Sequence, residues 1–366
     1  MSNLMMTRRG VMGLAALACG TAILPRAVLA AGTDWAAAPD IEAARAEAKV
    51  YTSYGMPDNW ANYGEVLQLM AKKYGYTSEH IDTDMSSMEE ILKFEAERGN
   101  PVGISGDIGI LFGPVAESKG VIPPYMPPNA AKLPAGLKAK KGGWVATFAG
   151  VPAMIVNTDV VKNVPRSWDD LLKPEYTGLV SAVDASGMGG TQMALFLAWA
   201  YAYGGSEANM APGAEYARKL LPQMAAGASS ALTMERGEVP IQLKYDFNCI
   251  AQANALREKG INCEVVIPKG TIYAPSAVMI NGYNVEKMNI AKLFLDFVLS
   301  DEAQTAFAKF GARPIRWVLG DLDLPAEARA GWLPDEQYAD VIQVKDWASI
   351  DVAQLARYWV EEVTGG

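Results

Sequence analysis

"WVATFAGVPAMIVNTDVV", residues 144–161, is a long extended run of apolar residues interrupted in the middle by Gly150-Val151-Pro152. Its β-branched and aromatic content reads as strand on both sides of the break. A stretch of this kind suits a chain that leaves one lobe and enters another. A second stretch, "CEVVIPKGTIYAPSAVMI", residues 263–280, has the character of a return crossing. Both crossings are strand-like, and no low-complexity linker or internal repeat occurs, so two lobes would be joined by short, stiff hinges.

Around these crossings, strand-like and helix-like segments alternate, which predicts an α/β architecture with mixed, mainly parallel sheets. Val50-Tyr51-Thr52 opens the first strand, and Tyr63, Leu67, Met70 and Tyr74 then fall on one face of a helix. Ser86-Ser87-Met88-Glu89 reads as a capping box. "DIGILFG", residues 107–113, reads as a buried central strand ending in glycine. "LVSAVDASGMGGTQMALFLAWAYAYGG", residues 179–205, reads as strand, glycine-rich loop and a helix apolar on every side, hence deeply buried. "VPIQLKYDFNC", residues 239–249, is a strand with a polar end, followed by helix to about 258 and strand over 261–267.

The first thirty residues form a basic n-region, an apolar run from Val11 to Leu24 and a small-residue close at Val28-Leu29-Ala30, the pattern of an export signal. Thr7-Arg8-Arg9-Gly10-Val11-Met12 fits the twin-arginine type. Cys19 lacks the Leu three residues ahead that a lipid-anchor box wants. The segment carries three arginines and no acid, so its removal takes the net charge from −9 to −12 over 336 residues. Such length is a prior for two domains. Such acidity excludes nucleic-acid binding by counter-ion release and opposes association with anionic lipid. Cys249 and Cys263 remain. An oxidising compartment permits a disulfide between them, but one on a helix and the other on the next strand would lie near different ends of that pair.

Three phrases together resemble the periplasmic substrate-binding proteins of ABC importers, in the branch that includes ferric-iron, thiamine, polyamine and phosphonate binders. They are "VYTSYG" in the first strand, "AGVPAMIVNTDVV…PRSWDDLLKPEYTGLV" through the crossing, and "NIAKLFLDFVLSDEAQTAFAKFGARPIR" near the end. The resemblance covers residues 47–317 and implies a bilobal type II periplasmic-binding fold. Lobe 1 would comprise 31–150 with 276–320 and lobe 2 would comprise 151–275, with a helical segment at 321–366 assigned to neither. It further implies a receptor that closes over one small molecule and docks on a membrane permease; the reading drawn from the whole chain is a monomer with no cofactor and no catalysis of its own.

Ligands of open α/β sheets bind outside the carboxyl ends of the strands. That rule nominates the loops 53–60, 111–114, 184–191 and 245–248 and the hinge at 271–273. In the first, Ser53, Tyr54, Asp58 and Trp60 read as ligand contacts, or equally as a helix cap and loop packing. Phe112 belongs to the second. In "DASGMGGTQM", Asp184, Ser186, Gly187 and Thr191 are candidates, since glycines admit close backbone approach and a helix start favours an anionic group; a plain tight turn is the alternative. Tyr245 and Asp246 place a carboxylate between aromatic rings, a setting for an amine-bearing ligand. Tyr273 and Arg313 complete the set.

Two rivals remain open. The ferric-iron relatives tend to carry two adjacent tyrosines where this chain has Tyr245-Asp246-Phe247, so iron would rely on Tyr54, Tyr245 and Tyr273. A thiaminase-like enzyme on the same fold would need a reactive cleft cysteine, and Cys249 is the candidate. His80 is the sole histidine, and no G-x-S-x-G elbow or zinc-type cluster accompanies it.

Overall fold

The computed structural model describes residues 34–365; the expected export signal and Cys19 lie outside the described residues. In chain order the first elements are α1 (Ile41–Glu47), β1 (Val50–Tyr54), α2 (Tyr63–Tyr74), β2 (Glu79–Thr83), α3 (Ser87–Ala96), β3 (Ser105–Gly109) and α4 (Gly113–Lys119). The crossing strands β4 (Trp144–Gly150) and β5 (Pro152–Asn157) follow, then α5 (Gly190–Ala202), α6 (Ala211–Leu220), α7 (Ala231–Glu235), β6 (Ile241–Tyr245) and α8 (Asp246–Glu258). The chain returns through β7 (Cys263–Val266) and β8 (Ile272–Ile280). It closes with α9 (Met288–Phe297), α10 (Asp301–Lys309), β9 (Arg313–Pro314), α11 (Ile315–Val318), β10 (Ile342–Gln343) and α12 (Val352–Trp359).

Two sheets organise these elements. The larger runs β2-β1-β3-β8-β4-β9, with β10 also pairing β8, and the smaller runs β6-β5-β7. Val151 alone separates β4 in the first sheet from β5 in the second, so Gly150-Val151-Pro152 is the outbound crossing. The return runs from β7 into β8, where Thr271 Oγ1 donates to the Pro152 carbonyl at 2.8 Å and ties the two crossings together.

The mainly parallel pairing expected from the sequence is corrected. β1 pairs β2 and β3 in parallel, but β3–β8, β4–β8, β4–β9, β5–β6 and β5–β7 are antiparallel. For β4–β8 and β5–β7 the cause lies in the two crossings: a chain that goes out on β4–β5 and comes back on β7–β8 runs along those pairs in opposite directions.

Helix positions follow the apolar patterns. Tyr63, Val66, Leu67 and Met70 are the buried face of α2, and residues 193–200 of α5 are buried on all sides. Glu89 accepts from the Ser86 backbone N–H at 2.8 Å, closing the expected box at the start of α3. The run "DIGILFG" departs from expectation: β3 stops at Gly109, and Ile110–Phe112 form a 3-10 turn that leads into α4. The C-terminal segment packs beside α5 and α6, where Trp359 meets Phe196 edge-on at 5.0 Å and lies 6.5 Å from Trp199. Cys249 and Cys263 are free thiols, so the permitted disulfide is absent; Cys249 is inside α8, and the Cys263 sulfur lies against Met234 at 3.9 Å.

Candidate functional site

The carboxyl ends of β1, β3 and β6 and the amino end of α5 converge on a cavity of about 420 Å³. One wall is built by Gly55, Pro57 and Trp60 after β1, by residues 84–87, 89 and 90 around the start of α3, and by Asp107 and Gly109 at the end of β3. The facing wall is Gly189, Gly190, Thr191 and Gln192 at the start of α5, with Tyr245 from the end of β6. Ser276 of β8 lies at the base. The walls approach closely at one point, where a β-carbon added to Gly109 would stand 3.2 Å from the Gly190 Cα.

The cavity is acidic. Asp84, Glu89, Glu90 and Asp107 line it, and none of the described lining residues is Lys, Arg or His. Asp107 is buried and receives two hydrogen bonds, from Trp60 Nε1 at 2.7 Å and from the Tyr63 hydroxyl at 2.8 Å. Burial nonetheless outweighs these bonds and raises its carboxyl to about 7. Glu90 is raised well above the ordinary carboxylate range, by burial first and then by Asp107, Asp82 and Asp84. Its Oε2 has no hydrogen-bond partner, and neither has Gln192 Oε1 on the opposite wall.

Of the residues nominated from the sequence, Trp60, Thr191 and Tyr245 line this cavity. The others go elsewhere. Ser53 is fully buried and its hydroxyl donates to Asp82 at 2.7 Å, beside His80 at 2.8 Å. Tyr54 packs inward against Gly103 and donates to Glu97 at 2.7 Å. Asp58 is turned outward to pair with His80 Nδ1 at 2.6 Å. Phe112 is core. Asp184 accepts from the Ser186 N–H and hydroxyl at 2.8 and 2.6 Å, and neither they nor Gly187 lines the cavity. Tyr273 lines a separate pocket with Gln343 and Trp347.

Asp246 and Arg313 are the largest correction. The loop expected at 245–248 is the last residue of β6 and the first turn of α8, and Asp246 is wholly buried there. Its Oδ1 accepts from the Val151 N–H at 2.8 Å, and its Oδ2 accepts from the Tyr338 hydroxyl at 2.8 Å and Arg313 Nη1 at 3.4 Å. Arg313 is sandwiched by Tyr338 and Trp332, with ring centroids 3.4 and 4.5 Å from its guanidinium carbon. These groups fasten the crossing instead of facing a ligand.

Neither rival chemistry is assembled. Of the three tyrosines an iron site would use, only Tyr245 faces the cavity, and no cluster of three His, Cys, Asp or Glu suited to a metal occurs among the described residues. Burial pushes the Cys249 thiol up, away from the reactive thiolate, and it lies in a packed cluster with Met234 and Ile155.

Sequence reasoning missed the acids that do line the cleft. Glu90 looked like a helix residue and Asp107 like a strand residue. A signal existed for Glu90 only as a charge on the buried side of an otherwise apolar stripe with Ile91 and Phe94.

The family model for bacterial extracellular solute-binding proteins matches residues 110–341, and the chain belongs to that family. An uncharacterized protein of Haemophilus influenzae is 28% identical over 235 residues, which are 60% of this chain; the chain spans 64% of the length of that curated relative. Among solved structures, the periplasmic binding protein AfuA from Actinobacillus pleuropneumoniae, with exogenous fructose-6-phosphate bound, is similar at a TM-score of 0.69 and 20% identity, covering 87% of this chain and 99% of that one. The apo ferric ion-binding protein A of Pasteurella haemolytica is similar at a TM-score of 0.62 and 16% identity, covering 86% and 98%. At these identities the likeness concerns the fold, the two-lobed type II arrangement of periplasmic binding proteins.

Proposed function

We propose that this protein is a periplasmic receptor that holds a small amine-bearing organic solute between its lobes and delivers it to the permease of an ABC importer. The observation that carries the ligand class is the unbalanced charge of the cleft: Asp84, Glu89, Glu90 and Asp107 line it with no described Lys, Arg or His among them. A phosphate or sugar phosphate would meet like charge there, whereas a protonated amine gains charge-assisted hydrogen bonds and the face of Trp60. The first-turn amides of α5, at Gly190–Gln192, favour an acid group at the other end of the same molecule. An amine with or without a carboxylate therefore fits better than an anion alone.

The test is a thermal-shift screen of the purified protein against diamines, amino acids, ethanolamine, sugar phosphates, phosphonates and ferric citrate. A ligand present at about one hundred times its dissociation constant stabilises by about 2.7 kcal/mol. Amines are expected to shift the transition. Stabilisation by fructose-6-phosphate or ferric citrate with silence from every amine would remove the reading. A monomeric state and a permease partner belong to the same proposal and are tested by sedimentation and by copurification with the transporter.

A further inference from the structure

Glu90 enters the cleft from below. It leaves the first turns of α3, is 1% exposed, and occupies space that side chains just after β1 and on β3 would need. A β-carbon at Gly55 would stand 2.3 Å from its Oε1, and one at Gly106 would stand 2.3 Å from its Oε2. Two glycines thus admit a carboxyl to a depth where it is cut off from water. Its Oε2 is nevertheless left without a hydrogen-bond partner, in a side chain that lines the cavity. A buried acceptor without a partner, in a side chain that lines the cavity, points to a donor that the ligand brings.

The groups around it agree. Asp107 from β3, Asp82 from β2 and Asp84 from the β2–α3 loop are its charged neighbours, and Tyr63 from α2 is a further titratable group within their reach. Adjacent buried carboxyls with no cation among them retain a proton near neutrality.

We infer that Glu90 is the anchor for the ligand's ammonium group, and that the ligand binds by displacing the proton held on the Glu90–Asp107 pair. This rests on the amine reading above and adds to it a stoichiometry and a residue. The exchange balances: the carboxyl O–H breaks, its proton leaves to solvent, the ammonium keeps all its own protons, and a carboxylate–ammonium pair results. Gln192 Oε1, also unpartnered, is placed on the facing wall to take a second N–H. A quaternary ammonium has no N–H to offer either acceptor and is expected to bind less well than a primary amine of the same size.

The experiment is calorimetric titration of the full chain with putrescine, ethanolamine, γ-aminobutyrate and choline, in two buffers of different ionisation enthalpy. At about pH 6.5 the primary amine that binds should release close to one proton, and its affinity should rise by up to about tenfold per pH unit until the pair is ionised. Glu90→Gln, nearly isosteric with the protonated acid, should lose about tenfold or more in affinity and abolish both the proton release and the pH slope. Should that variant fail to fold, the wild-type proton count and the preference over choline decide alone. Amine binding without buffer-dependent heat, or proton release that survives Glu90→Gln, overturns the anchor role and leaves the receptor reading standing. Failure of every amine, with binding of fructose-6-phosphate or ferric citrate, overturns both.

Discussion

Asp246 and Arg313 form a fully buried ion pair, 3.4 Å between Oδ2 and Nη1, that joins α8 beside the smaller sheet to β9 at the edge of the larger one. The same carboxylate takes the N–H of Val151, the single residue between the two sheets on the outbound crossing. Burial pushes this carboxyl up, while Arg313 and the bonds from Val151 and Tyr338 hold it down. The pair therefore ties the outbound crossing to elements of both sheets.

Breaking the pair on one side should therefore cost stability without discriminating among ligands. Arg313→Met is expected to lose about 3–5 kcal/mol, because it strands a buried carboxylate. Adding Asp246→Asn to that variant should cost less than the sum of the two single losses. Urea titration of the four proteins measures this. An Asp246→Asn variant that weakens cationic ligands selectively would instead return Asp246 to the binding site.

Gly109 and Gly190, both lining the cavity, approach each other closely enough that a β-carbon on either would crowd the other. Neither has the positive φ that would itself forbid a side chain. Gly109→Leu should consequently act as a wedge: affinity falls about tenfold or more, the liganded protein keeps an open radius of gyration by small-angle scattering, and the unfolding midpoint moves little. A large loss of stability with normal closure would mean that Gly109 packs the core instead.

The raised acids make the unliganded protein less stable as pH climbs. Asp107 binds its proton up to about pH 7 when folded, whereas an unfolded aspartate releases it near the ordinary value of about 3.9. The folded state therefore holds more protons throughout that window, and stability declines from about pH 4 to about pH 7, then levels. Glu90 adds to the decline in the same direction. Thermal melts across this range without ligand should show the fall, and Glu90→Gln should flatten it. Saturating amine is expected to offset the loss at the high-pH end.

The thiols offer a separate check. Cys263 is half-buried and raised to about 11, mainly by burial, and Cys249 is enclosed in α8. Labelling of the mature chain by a disulfide reagent at about pH 8 should be slow at Cys263 and slower still at Cys249. Fast labelling of Cys249 that ligand suppresses would favour the thiaminase-like alternative.

Much of the scaffold could be read before any coordinates. The interruption at Gly150-Val151-Pro152 marks the point where the chain changes sheet, and the stripe in α2 and the apolar α5 lie where their periodicity puts them. Strand direction could not be read the same way, because apolar runs carry no sign of which way a neighbour runs. The rule that strand ends face the cleft named some segments that line the cavity and others, at 111–114 and 271–273, that do not, and within several it favoured side chains that turn away. After β1 it favoured Ser53 and Tyr54, yet Ser53 turns to Asp82 and Tyr54 to Glu97, while Gly55 and Trp60 reach the cavity.

The sequence by itself determined the class: two lobes, strand-like crossings, and membership in a family of solute receptors, since these depend on patterns that repeat along one dimension. Only the tertiary structure decided which carboxylates line the cavity. Asp246 and Glu90 are equally acidic as letters, but the first is saturated by Val151, Tyr338 and Arg313, and the second keeps a buried oxygen without a partner beside Gly55 and Gly106. That distinction rests on partners brought from distant parts of the chain, and a carboxylate's role is set by the partners it lacks as much as by those it has.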